Sequence, residues 1–382
     1  MNLTSLIILL CCIIPFLGVY YLIPRIVSIA KKLNIITEPN DRSSHHKKIP
    51  RLGGIVFVFN FILGLYLLKH FDQNDRGIMF AASFMVIFII GIADDLIGIS
   101  SRTKLMGQLL ATSLIFLHPD FYVDNLFGFA GIDYINPYIL IPVVAFAMIV
   151  VINAYNLIDG IDGLASIIGI IIFIAFGILF YKLNRFFYTG VSIIGCFTLI
   201  SFLIYNFTKG ENKIFMGDTG SMTIGLIISI LSLRFISLPV NTINELPFSK
   251  EHVPTVILTI LIIPLFDVIR VMYIRKLLKK PFFAADKNHL HHVLIQNFQL
   301  THKKTSLYIA FLNVIFYAVM LVVILNTNWK IGFAIFILLI IMLFYLLSRI
   351  DRTFSSNRRK VKYRKNIKRV KKLSTKISNL FT

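Results

Sequence analysis

The chain has 382 residues, 57% of them hydrophobic and 15% charged, with a mean hydropathy of +0.80 and a formal net charge of +21. These values exclude an ordinary soluble domain, and apolar runs that are continuous instead of alternating exclude a membrane β-barrel. The fold class that remains is an all-α polytopic membrane protein.

The first apolar run, 4–23, has no basic leader and no clear small-residue cleavage site, so it reads as a first span and not as a removed signal peptide. Further runs at 52–68, 78–93, 105–117, 136–152, 164–181, 187–205, 220–236, 252–269, 305–326 and 331–348 predict about eleven transmembrane helices. The 105–117 run is short. A hydrocarbon core of about 30 Å needs about 20 residues, so this span must borrow Thr103 and Lys104, or His118 and Pro119, or be locally thinned. Cys11, Cys12 and Cys196 all sit within apolar runs, which suggests neither a disulfide framework nor a thiolate metal site.

Charge predicts the orientation. Thirteen basic residues lie between Arg349 and Lys376, where Asp351 is the only acid. Attached to membrane spans, such a tail marks the cytoplasmic side and touches anionic lipid, in preference to nucleic acid. With that tail inside, eleven spans place the N-terminus outside, and all but seven of the 39 Lys and Arg fall on the inner side. The expected division is a transmembrane domain over residues 1–349, with its polar loops on the cytoplasmic face, and a basic cytoplasmic tail over 350–382.

Every loop rich in acids or histidines falls on that inner face, which argues for one composite site. The loop from Pro39 to Gly54 carries Arg42, His45, His46, Lys47, Lys48 and Arg51, a set suited to phosphate or to lipid head groups, and Pro50 with Gly53-Gly54 turns it back to the membrane. Asp94-Asp95 ends an apolar run; adjacent carboxylates there call for a cation between them, either Mg²⁺ or the nearby Arg102 and Lys104. Asn153-Ala-Tyr-Asn-Leu-Ile-Asp159-Gly-Ile-Asp162-Gly163 sets amides and acids at three-residue intervals, so that Asn156 and Asp159 can face one ligand. In Phe215-Met-Gly-Asp218-Thr-Gly-Ser221, Asp218 stands among glycines and hydroxyls at a helix start. It reads as a metal ligand beside phosphate-binding N–H groups, or as part of a helix capped by Thr219 or Ser221. Asp267 and Arg270 fit an i,i+3 ion pair. The run Asp286-Lys-Asn-His289-Leu-His291-His292 fits a phosphate clamp or zinc ligands.

Taken in order, Arg42-x-x-His45 with Pro50-Arg-Leu-Gly-Gly54, Asp94-Asp95, Asn153 to Gly163, Phe215 to Ser221 and Asp286 to His292 resemble the polyprenyl-phosphate N-acetylhexosamine-1-phosphate transferases, relatives of the phospho-N-acetylmuramoyl-pentapeptide transferases. The resemblance is plainest from Leu33 to His292. It implies transfer of a sugar 1-phosphate from a UDP-N-acetylhexosamine to polyprenyl phosphate at the cytoplasmic (inner) membrane, with release of UMP. The implied cofactor is Mg²⁺, with Mn²⁺ as an alternative, held by Asp218 and Asp94. The implied catalytic residues are Asp94, Asp95 and Asp218, and the implied substrate-binding residues are Arg42, His45, Lys48, Lys104, Asn156, Asp159, Asp162, Phe215, His289, His291 and His292. N-acetylglucosamine is the default sugar, with N-acetylfucosamine or N-acetylgalactosamine as alternatives. Direct attack by the lipid phosphate is preferred to an aspartyl-phosphate intermediate, and a homodimer is left open. A secondary transporter is the rival class, but its charged residues belong near mid-membrane, whereas these collect at one face.

Overall fold

The computed structural model describes residues 3–33, 35, 49–72, 75–132, 134–277, 279 and 289–350. Arg42, His45, Lys48, Asp286 and residues 351–382 of the basic tail lie outside the described residues. In chain order the helices are α1 (Leu3–Lys32), α2 (Gly53–Leu67), α3 (Arg76–Ile97), α4 (Ser101–Ile115), α5 (Pro137–Ile158), α6 (Leu164–Lys182), α7 (Phe186–Asn206), α8 (Gly217–Ile236), the single turn α9 (Val240–Ile243), α10 (Val253–Ile260), α11 (Ile262–Leu277), α12 (Leu290–Phe298), α13 (His302–Asn326) and α14 (Trp329–Ile350).

Among the described residues nine helices are long and apolar enough to cross a membrane: α1, α2 with the turn that follows it, α3, α5, α6, α7, α8, α13 and α14. The run expected as one continuous span over 252–269 is broken. The Lys250–Ile260 segment and α11 meet at 69°, and counting this bent pair as one span gives ten. The short 105–117 run extends upstream only: α4 starts at Ser101, takes in Lys104 and stops at Ile115, so its 15 residues reach about 22 Å at 1.5 Å per residue. Ser100 fixes that start by accepting the Thr103 N–H at 3.2 Å.

The bundle is built around α8. Of its membrane window 94% is buried, against 28% for α1, α3 and α13. Gly220, Ser221, Thr223, Gly225, Ser229 and Ser232 keep this helix narrow, and the hydroxyls of Thr223, Ser229 and Ser232 donate back to the carbonyls of Thr219, Leu226 and Ile228. Neighbours can therefore touch it backbone to backbone. A Cβ on Gly54 of α2 would collide with the Gly220 nitrogen, and one on Gly91 of α3 would lie 2.5 Å from the Thr219 Cα. Residues 50–54 also bond to 215–216 through the backbone: Phe215 N–H donates to Pro50 O (2.9 Å), Gly53 N–H to Phe215 O (3.1 Å) and Gly54 N–H to Met216 O (2.9 Å). Two motifs that lie far apart in sequence thus form one unit.

At the other end of α8, the Asp120 carboxylate pairs with Arg76 of α3 and lies 3.8 Å from Arg234 of α8, which also donates to the Asp120 carbonyl. This partly buried network ties the connection between α4 and α5 to the far ends of α3 and α8. Around the axis, α5, α3 and α2 pack directly on α8; α7 packs on α6 and α1, α13 on α6, and α11 on α5.

Candidate active site

Neighbouring side chains on a helix diverge, so the two acids at the end of α3 take different partners. Asp95 turns to the start of α8. Its Oδ1 accepts the Asp218 N–H (2.8 Å), and its Oδ2 accepts the N–H (2.9 Å) and the hydroxyl (2.6 Å) of Thr219. The cap of α8 therefore comes from another helix and not from Thr219 or Ser221; Ser221 donates its hydroxyl to Gly217 O instead. Gly217 makes this possible. It sits at φ +73°, and a Cβ there would lie 2.6 Å from Asp95 Oδ2 and collide with the Arg51 carbonyl. With both oxygens committed, Asp95 positions α8.

Asp94 turns the other way. Lys104 of α4 brings its Nζ to 2.7 Å from Asp94 Oδ2 and 2.9 Å from Asp218 Oδ1. Asn156, near the end of α5, donates to the same Asp218 Oδ1 (2.7 Å) and to Ser221 Oγ (2.7 Å). Helices α3, α4, α5 and α8 thus each send one side chain to a common point. Beneath it, Asn153 donates to Gln108 Oε1 at 2.7 Å. Gln108 was not among the expected residues, although its place four residues after Lys104 on an apolar helix was a readable signal.

The Asp159 carboxyl belongs to the same pocket. Burial, and then the carboxylates of Asp218, Asp95 and Asp162, push its pKa well above the usual range, while Arg51 pulls the other way. Asp162 is engaged by Lys213 (2.6 Å), with His302 Nδ1 at 3.8 Å, and its carbonyl accepts from Ser306 of α13 (2.7 Å). The Lys213 ammonium also lies 5.8 Å from the centre of the Phe215 ring. Asn206 clamps the loop from α7 by accepting the Gly163 N–H (2.6 Å) and donating to Ile214 O (3.0 Å).

The histidine segment joins the pocket at Gly160. The His291 ring is 2% exposed and lies so close to Gly160 that a Cβ there would collide with Nε2. Burial, opposed by Asp267, lowers the His291 pKa to about 3, which leaves this imidazole neutral. His289 stacks on His291 with the rings 13° apart, and its Nδ1 lies 2.7 Å from Asp267 Oδ2. The Asp267 carboxylate, expected opposite Arg270, goes to this histidine. His292 is half-buried, with its ring 4.4 Å from that of His291.

Among the described residues no group of three or more His, Cys, Asp or Glu converges on a metal position. Mg²⁺ seldom needs one, since it works with one or two carboxylates, water and substrate phosphates. Asp94 and Asp218 already share one cation, the Lys104 ammonium, so this pair suits a divalent ion arriving with a phosphorylated ligand.

The chain is similar to known proteins. Residues 77–236, which span α3 to α8, match glycosyl transferase family 4. The chain is 30% identical over 337 residues to a Bacillus subtilis (strain 168) protein described as a probable undecaprenyl-phosphate N-acetylglucosaminyl 1-phosphate transferase, covering 86% of this chain and 88% of that protein. It is 33% identical over 243 residues (58% and 74%) to the phospho-N-acetylmuramoyl-pentapeptide-transferase of Staphylococcus carnosus (strain TM300). It is also 27% identical over 281 residues (70% and 71%) to the undecaprenyl-phosphate alpha-N-acetylglucosaminyl 1-phosphate transferase of Escherichia coli O157:H7. The class defined by the bundle and its acid cluster is a membrane-embedded sugar-phosphate transferase. Within that class, the chain belongs to the polyprenyl-phosphate N-acetylhexosamine-1-phosphate transferases of glycosyl transferase family 4.

Proposed function

We propose that this protein transfers N-acetylglucosamine 1-phosphate from its UDP-sugar to undecaprenyl phosphate or another polyprenyl phosphate, releasing UMP. The observation that carries the reading is the meeting of Asp94, Lys104, Asn156 and Asp218 at one point of the bundle. An oxygen of the lipid phosphate attacks the sugar-bearing phosphorus, the bond from that phosphorus to the UMP oxygen breaks, and a polyprenyl pyrophosphate sugar remains. Lys104 and Asn156 donate to the crowded phosphate oxygens, and Asp94 orients the attacking phosphate through the Lys104 ammonium that it holds. That phosphate is already largely ionised at pH 7, so no strong base is required. Asp94 and Asp218 would hold Mg²⁺, which would supply positive charge to offset that of the diphosphate. Asp162, Lys213 and Phe215 form the uridine side of the pocket: a carboxylate for the base N–H and a ring for its face.

The reading places the site at the cytoplasmic face of the cytoplasmic membrane. It takes eleven spans, with α4 and the bent pair each counted as one, the N-terminus outside and the basic tail against anionic lipid. Glu211→Cys should then react with an impermeant maleimide only from the cytoplasmic side, and Tyr134→Cys only from the outside. The reverse pattern would overturn the orientation. The reaction is tested by supplying the purified protein with polyprenyl phosphate, Mg²⁺ and a panel of UDP-N-acetylhexosamines. UMP release and a lipid product heavier by one N-acetylhexosamine phosphate are expected, with UDP-N-acetylglucosamine the best donor. Failure with every donor would overturn the function, and a better N-acetylfucosamine donor would correct the sugar.

A further inference from the structure

Asp267 is the one acid among the described residues that is buried outright, at 1% exposure, and the mechanism above gives it no task. It lies on α11, beyond the break of the bent pair, and both of its oxygens are committed to the histidine segment. Oδ1 accepts the Leu290 N–H at 2.6 Å, at the first residue of α12, and Oδ2 faces His289 Nδ1 at 2.7 Å. A carboxylate only accepts, so Nδ1 carries the proton and Nε2 becomes the nitrogen that takes or gives the second one. His291 stacks on His289 and rests on Gly160, within the loop that carries Asp159 and Asp162.

We propose that Asp267 is a positioning residue for substrate binding: it holds the Nδ1–H of His289 and the start of α12, so that the ring, protonated as substrate binds, donates Nε2–H to a phosphate oxygen of the nucleotide-sugar diphosphate. The proposal rests on the transferase reading of the site. Its physical basis is that a ring with Nδ1–H donated to a carboxylate is stabilised as an imidazolium when Nε2 meets an anion. The carboxylate thus acts on substrate only through the imidazole.

Asp267→Asn tests this because an amide has one acceptor and one donor. The Leu290 N–H takes the acceptor, which leaves an NH₂ facing Nδ1; the ring is then held as the neutral Nε2–H tautomer, which still donates to the phosphate oxygen but without the charge that the carboxylate stabilises. The expected result is a loss in kcat/KM of about tenfold or more, mostly through KM for the UDP-sugar, with thermal unfolding little changed. His289→Gln should lose a similar amount, and the double variant no more than the worse single one. Additive losses would make Asp267 a structural pin and overturn the proposal. Histidine ¹⁵N shifts of the labelled wild-type protein supply a readout that needs neither turnover nor Asp267→Asn: a signal from Nδ1–H, lost in His289→Gln, is expected, and a ring with Nε2–H but no Nδ1–H overturns the assignment. A wild-type protein inactive with every UDP-sugar would sink the transferase reading alone, and the shifts would still decide the pairing.

Discussion

Asp218→Asn should abolish Mg²⁺-dependent release of UMP, by a factor on the order of 10³ or more, while leaving the protein folded. The side chain keeps its shape, and the backbone N–H of residue 218 still goes to Asp95, so the start of α8 is undisturbed. What disappears is the negative charge on which Lys104 and Asn156 converge. A divalent ion then has Asp94 alone, and Lys104 can settle onto Asp94 at 2.7 Å and neutralise it. Thermal unfolding within a few degrees of wild type, together with loss of product, is the expected pair of readings. Full turnover by the purified variant would remove Asp218 from the metal role.

Asp95→Ala should fail differently, losing both stability and rate. It strands the Asp218 N–H, the Thr219 N–H and the Thr219 hydroxyl at a helix start enclosed by α2 and α3. Each buried donor left without an acceptor costs about 1–3 kcal/mol, so the first turn of α8 should fray and carry Asp218 with it. The expected outcome is a clearly lowered unfolding temperature and a drop in kcat on the order of 10² or more. Asp95→Asn, which keeps one acceptor, should fall between. If Asp95 served only as a proton acceptor for the lipid phosphate, Asp95→Ala would lose rate without losing stability, and that result would sink the positioning role assigned here.

The spans were legible because a bilayer demands long apolar runs, and the positions of the acids were legible because polar residues at the ends of such runs need a purpose. The break between α10 and α11 was masked by the apolar run from Val256 to Ile263, although Pro264 marks it: it lacks the N–H that would bond the Ile260 carbonyl, which accepts from Tyr317 instead. Lys104 could be expected beside Asp94 because one short loop joins them. Asn206, Lys213 and His302 could not be assigned, because their partners are set by packing between α6, α7 and α13: Asn206 meets Gly163 from 43 residues away and Lys213 meets Asp162 from 51. The divergence of Asp94 and Asp95 was hidden for a related reason. Two identical adjacent letters carry no sign of which one faces the pocket and which one holds the neighbouring helix.

Enclosure of α8 on all sides has a consequence for how such an enzyme can diversify. Asp218 is mounted on a rod that cannot shift without disturbing α2, α3 and α5 together, so its place beside Lys104 and Asn156 is insulated from drift. The histidine segment lies instead beyond a bend, its start held by the Asp267 carboxylate. That segment can therefore be remodelled without moving the start of α8.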